Sequence, residues 1–245
     1  MVKQIKRLFA FDFDDTLAIT TSIIGVKRTT PDGKSDPEFI NWLLDNNLNF
    51  QDIEGEKTDL EIFWFESGDF AKYEAAHKKD LEYLTLNELN DEFDFSKTAG
   101  IDLEKTKPID SILGIMQQAY GDPQSQVVVI TARSGVGELP SLGGGSQPAT
   151  NIKDIQSFLS SQGISLSSKH VSTAGDIGGG PGAKAKVMMG YIEFYNPEFV
   201  YFYDDNAGNV AAISQLCDKL YPEIKIKTFQ LGDNGEISGI GGCYD

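Results

Sequence analysis

Basic residues are scarce in this chain. Its 245 residues hold 21 Lys and Arg against 37 Asp and Glu, a net charge of −16. A surface with that balance repels nucleic-acid phosphates and anionic membranes, so neither is an expected general partner. Cysteine is nearly absent. Cys217 and Cys243 are too few for a disulfide framework, and both are expected as reduced thiols of an intracellular, cytoplasmic protein. His77 and His170 have no Cys or His at ligand spacing, which argues against a zinc site. Long apolar runs are missing as well. The N-terminal one is short and broken by Asp12, so neither a signal peptide nor a membrane span is expected. There is no internal repeat. What remains, 40% hydrophobic and 24% charged residues, can bury a sizeable core in one large domain or in a core domain with a smaller insert.

The stretch Phe9-Ala10-Phe11-Asp12-Phe13-Asp14-Asp15-Thr16 concentrates chemistry. Leu8 to Phe11 is an apolar run that reads as a buried strand, and three carboxylates follow within four residues. Strand alternation sends Phe11 and Phe13 to one face, Asp12 and Asp14 to the other. Two carboxylates held that close repel unless a cation, a shared proton or strong donors relieve them. A hard divalent cation such as Mg²⁺ is the simplest relief, because it takes oxygen ligands and keeps waters that a phosphate can replace.

The rest of the chain alternates between the two periodicities. Residues 17–30 read as a small hairpin or flap, and Asp36-Pro37 starts a helix to about Asn46. From Asp32 to Asp110 there are 21 acidic and 8 basic side chains, a net of −13, interleaved with aromatics. That insert reads as a solvated acidic surface around a small aromatic core. Pro108 opens a helix to about Tyr120, and Gln126 to Ile130 is a second buried strand ending at Thr131-Ala132-Arg133. Ser134 to Thr150, with five glycines and two prolines, is too long for an ordinary connection and reads as a lid or an insert. A helix from Asn151 to Gln162, a strand from Lys169 to Thr173 and a helix from about Ala183 to Tyr195 follow. The strand Phe199 to Tyr203 ends in Asp204-Asp205-Asn206. A helix from Asn209 to Leu220, a strand from Ile224 to Leu231 and a peripheral glycine-rich tail complete the pattern. Strands alternating with helices predict an α/β fold with a doubly wound parallel sheet.

Several strand ends therefore carry polar groups: Asp12 and Asp14, Thr131, and Asp204 with Asp205, with a lysine at the start of the helix before the fourth strand. In open α/β sheets such ends converge on one edge, where carboxylates can cage a cation while a hydroxyl and an ammonium suit phosphoryl oxygens. Lys184 and Lys186 compete for the last role. Two residues apart on a helix is about 200° of rotation, so only one can face the site. Lys184 shares an apolar stripe with Met188 and Tyr191 and is the expected one. Gly178 to Lys184 is no P-loop, since Ala183 separates Gly182 from Lys184 and Ala185 stands where Ser or Thr would bind Mg²⁺. Arg133 reads equally well as a phosphate contact or a surface arginine.

In these positions the chain resembles the haloacid dehalogenase superfamily of phosphotransfer enzymes. Asp12-Phe13-Asp14-Asp15-Thr16 matches its first motif, Val127 to Thr131 its second, Lys184 its third, and Tyr201 to Asp205 its fourth. The resemblance implies a Rossmann-like core of five parallel strands, residues 1–31 plus 107–245, with residues 32–106 as an inserted cap. It implies Asp12 as a nucleophile that becomes an aspartyl-phosphate and Asp14 as general acid and then base. Thr131 and Lys184 would hold the phosphoryl group, with Mg²⁺ held by Asp12, Asp14, Asp204 and Asp205. The expected activity is hydrolysis of a small phosphate monoester. Two alternatives stand beside it: a polynucleotide-end phosphatase, and a catalytically idle phosphate- or partner-binding module on the same fold.

Overall fold

The computed structural model describes residues 5–51, 62–140, 146–232 and 234–243. Residues 1–4, the acidic stretch 52–61 of the expected cap and the centre of the Ser134–Thr150 loop lie outside them. In chain order the elements are β1 (Arg7–Phe11), β2 (Ala18–Ile19), β3 (Ile23–Thr29), α1 (Phe39–Asp45), β4 (Phe63–Glu66), α2 (Ser67–Lys79), α3 (Leu81–Leu86) and β5 (Asn90–Asp94). Then come β6 (Lys107–Pro108), α4 (Asp110–Gly121), β7 (Ser125–Thr131), β8 (Glu138–Pro140), β9 (Ser146–Pro148), α5 (Asn151–Ser161) and β10 (Val171–Thr173). The last are α6 (Gly180–Tyr195), β11 (Phe199–Asp204), α7 (Ala207–Lys219), β12 (Lys225–Leu231) and β13 (Ile237–Cys243). They form two compact units. One comprises Met1–Thr20, Ile101–Val136 and Thr150–Asp245; the other comprises Thr21–Gly100 and Gly137–Ala149. The second unit contains the described residues of the expected 32–106 insert up to Gly100 and begins at Thr21.

The first unit is mixed α/β around a six-stranded, mostly parallel sheet in the order β10-β7-β1-β11-β12-β13. All neighbours are parallel except β12 and β13. Alternation along the strands gives the sheet two apolar faces. Phe11, Val127, Val129 and Tyr203 join Ile112, Met116, Ile155 and Phe158 of α4 and α5 in one core. Leu8, Ala10, Val128, Ile130, Val200 and Phe202 join Met188, Ile192, Ile213 and Leu216 of α6 and α7 in the other. With both faces covered, a strand must be apolar at nearly every position, and Val127-Val128-Val129-Ile130 is. Stacked rings run across the first face in register: Phe11 on Tyr203 at 4.8 Å, and Tyr203 on Phe229 at 4.5 Å.

The tail expected to be peripheral lies at the edge of the sheet, where it forms a sixth strand antiparallel to β12. Its glycines permit this. Gly242 has φ +102, and a Cβ there would come within 2.0 Å of the Ile226 carbonyl oxygen. The strand is also tied covalently. Cys217 of α7 and Cys243 form a disulfide with Cα atoms 6.3 Å apart, so the reading of both as free thiols is corrected.

The second unit holds the antiparallel sheet β4-β3-β5. Val26, Phe39, Leu43, Phe63, Phe65 and Tyr73 form its core. Arg28 lies inside it, 1% exposed. Its guanidinium sits 4.4 Å from the ring centres of both Phe39 and Trp42 and makes bonds of 2.7 and 2.9 Å to the two oxygens of Asp91. Asp91 also accepts from Tyr73 and lies 2.8 Å from His77 Nδ1. A charge this deep is tolerable because it is paired with Asp91 and lies against two rings.

Candidate active site

The strand order reverses at β1, with β7 and β10 on one side and β11 and β12 on the other. Phe11 is in register with Val129 and with Tyr203, so the residues that follow β1, β7 and β11 leave the sheet along one edge. Such an edge at a switch point is where open α/β sheets bind ligands. The site divides into two charged groups there.

The first group is built on Asp12. Its carboxylate is buried, and Lys184 Nζ lies 2.8 Å from its Oδ1. The same ammonium donates to Asp204 Oδ2 at 2.8 Å. Lys184 is 1% exposed, in the first turns of α6, whereas Lys186 is exposed. Asp204 is fully buried and held from behind: Asn206 N donates to Oδ1 at 2.9 Å, and Asn209 Nδ2 reaches both oxygens at 2.9 and 3.1 Å. Asn206 also caps α7 through Gly208 N. The turn after β11 is therefore fixed by the asparagines that start the next helix. Asp205 completes the cluster, with carboxylate oxygens of Asp12, Asp204 and Asp205 all within 4.8 Å of one another.

The electrostatics follow from that crowding. Burial pushes the Asp12 carboxyl well above the ordinary range, opposed by Lys184 and reinforced by Asp204 and Asp205. Asp205 is pushed up to about 7, first by burial and then by the charge of Asp204. Burial alone would lower the Lys184 ammonium, yet Asp12 and Asp204 raise it above its usual value. Three carboxylates and one ammonium carry a formal −2, which one divalent cation cancels. The donor set of Asp12, Asp204 and Asp205 is all oxygen, which fits a hard divalent ion.

The second group is built on Asp14, which is not among the three carboxylates gathered around Asp12. The Asp14 carboxylate accepts from Arg133 Nε at 2.8 Å and Nη2 at 2.6 Å, in a bidentate pair, and from Thr20 Oγ1 at 2.7 Å. Burial alone would raise its carboxyl, but the Arg133 charge and the bonds from Arg133 and Thr20 hold it below the ordinary range. Thr131 is fully buried at the end of β7, where its hydroxyl accepts the Arg133 backbone N–H at 3.2 Å. Arg133 itself is 6% exposed and belongs to the site rather than the surface.

Sequence reasoning missed Thr20, Asn209 and the role of Arg133. The adjacency Thr131-Ala132-Arg133 at a strand end was the available signal for the last; nothing local marked the other two. No family model matches the chain, and neither a curated protein nor a solved structure matches it significantly.

Proposed function

We propose that the chain is a Mg²⁺-dependent phosphomonoester hydrolase of the haloacid dehalogenase type. On this reading β10, β7, β1, β11 and β12 are the five strands of a Rossmann-like, doubly wound core, β13 is an addition at its edge, and the second unit is the cap. The observation that carries the reading is the ion-paired cluster Asp12–Lys184–Asp204, with Asp205 beside it, at the switch point of the sheet. When bound by those acids, Mg²⁺ supplies charge neutralisation for phosphoryl oxygens.

The residues divide the work as follows. A carboxylate oxygen of Asp12 attacks phosphorus, the ester P–O bond breaks, and Asp14 relays the proton of the monoanionic ester to the departing oxygen. Lys184 and Thr131 hold phosphoryl oxygens during the transfer. Water then attacks the aspartyl-phosphate and gives its proton to Asp14, which releases phosphate and restores Asp12. Arg133 keeps Asp14 ionised, which suits the second, base step. The first, acid step is correspondingly harder, so substrates with good leaving groups, small aryl phosphates among them, are favoured.

The test is turnover of 4-nitrophenyl phosphate with Mg²⁺, followed by a panel of nucleotides, sugar phosphates and 3′-phosphorylated oligonucleotides. Asp12→Asn should fold normally and lose activity by several orders of magnitude, the cost of removing a covalent nucleophile. A folded Asp12→Asn protein with near-normal turnover, or a wild type inert toward the whole panel, would overturn the proposal.

A further inference from the structure

Asn151 is the first residue of α5 and is fully buried. Its two side-chain atoms bond in opposite senses, and both bonds leave the helix it opens. Oδ1 accepts from Arg133 Nη1 at 3.2 Å, while Nδ2 donates to the Ser134 carbonyl at 2.8 Å. The chain leaves the first unit after Val136 and returns to it at Thr150. One amide therefore joins the two ends of that excursion and, in the same stroke, grips the guanidinium that holds Asp14.

The guanidinium is a planar fork, and its edges are used differently. Nε and Nη2 face Asp14, with Nη2 also 3.2 Å from Thr20 Oγ1, and Nη1 faces Asn151. An acceptor on the Nη1 side fixes rotation of the plane, so the fork meets the two Asp14 oxygens squarely. Only a side chain with an acceptor and a donor on one carbon makes both bonds. An apolar residue makes neither; an aspartate keeps the acceptor and loses the bond to Ser134.

We propose that Asn151 is a positioning residue of the site: it sets the orientation of Asp14 by clamping Arg133 against it, without touching the reacting atoms. This rests on the phosphohydrolase reading for its kinetic consequence, but not for its structural one. A group that transfers protons loses rate when its placement slips, by up to about 100-fold for an ångström of error.

The experiment uses the full chain and two readouts. The first is turnover of 4-nitrophenyl phosphate with Mg²⁺ by wild type, Asn151→Ala, Arg133→Ala and the double variant. Asn151→Ala should lower kcat by roughly 10- to 100-fold with KM changed less than about threefold. In the Arg133→Ala background the same change should cost less than about twofold, because the path through the guanidinium is already gone. An undiminished loss in that background overturns the proposal. The second readout is hydrogen exchange of the Arg133 Nε–H by NMR, which needs no turnover. It should be slow in wild type, slow in Asn151→Asp, which keeps the acceptor, and at least about tenfold faster in Asn151→Ala. Equal exchange in wild type and Asn151→Ala overturns the proposal, and if Asn151→Ala does not fold, fast exchange in a folded Asn151→Asp does so. A wild type that turns over no phosphate ester defeats the functional reading alone, and the exchange rates still decide the clamp.

Discussion

Replacing Lys184 with Met removes the only cation that touches both Asp12 and Asp204 among the described residues. The side chains involved are 1%, 8% and 0% exposed, so water cannot take over. Breaking a buried pair by deleting one partner costs about 3–5 kcal/mol, because the remaining charge stays buried. For a protein of this size each kcal/mol moves Tm by about 2–4 °C, giving a fall of about 6–20 °C. Lys184 is raised above its ordinary value in the folded protein. Its contribution is therefore complete below the unfolded lysine value and is lost only as pH rises through the folded one, so neutral pH shows the full effect. On acidification the deficit should shrink, because Asp12 is already raised and takes up a proton in place of the lost ammonium. Lys186→Met, on the exposed face, should stay within about 0.5 kcal/mol of wild type.

Thermal melts of the three proteins in chelator at pH 7 and at pH 5 make the comparison. The same variants in the phosphatase assay should separate equally well. On the proposed mechanism, losing a phosphoryl-oxygen contact at Lys184 should cost about 2 kcal/mol or more of transition-state stabilisation, roughly 30-fold in rate, with little change for Lys186. Equal melting of Lys184→Met and wild type at pH 7 without metal would refute the charge argument. A larger catalytic loss at Lys186 would move the role to the other face of α6.

Divalent cation should stabilise the protein by linkage, about 2.7 kcal/mol at 100 times its Kd, and Asp205→Asn should remove most of that gain; identical Mg²⁺-induced shifts in both proteins would disprove the ligand set. In the second unit, burial pushes Asp91 up but the bonds from Arg28, Tyr73 and His77 hold it below the ordinary range. Its stabilisation is thus present above the unfolded aspartate value and lost as pH falls through the folded one. Asp91→Asn should cost about 3–5 kcal/mol at pH 7 and lose less than wild type on further acidification; parallel pH profiles from urea denaturation would count against it.

The parts of the fold that could be read in the sequence are those set by nearest neighbours. Val127 to Ile130 is apolar at every position because β7 is covered on both faces, and that is visible in four letters. The burial of Lys184 and exposure of Lys186 follow from helical rotation alone. What could not be read depends on distant partners. Asp14 looks like Asp12 in the motif, yet its carboxylate meets a guanidinium 119 residues away while that of Asp12 meets Lys184. β13 is hidden because glycine has a low strand propensity, yet Gly242 is where a side chain would meet Ile226. The pairing of Cys217 with Cys243 likewise requires α7 and β13 to be neighbours before two cysteines mean anything.

The opposed environments of Asp12 and Asp14 constrain how the site can work. Pairs of carboxyls pushed apart in this way usually mark an acid and a base. The protein alone pushes them in the direction opposite to the first step of the proposed reaction: Asp12, the proposed nucleophile, is raised, and Asp14, the proposed proton donor, is lowered. A cation among Asp12, Asp204 and Asp205 reverses the first of these, since a bound divalent ion is the largest local charge and favours the carboxylate form of every acid around it. The second is untouched by it, because Asp14 faces Arg133 and Thr20 rather than the three acids. On the proposed mechanism the proton that Asp14 passes on would come from the phosphate ester itself in its monoanionic form. On the proposed mechanism the three-acid cluster would govern whether Asp12 can attack, and the Arg133 clamp would govern which leaving groups can depart.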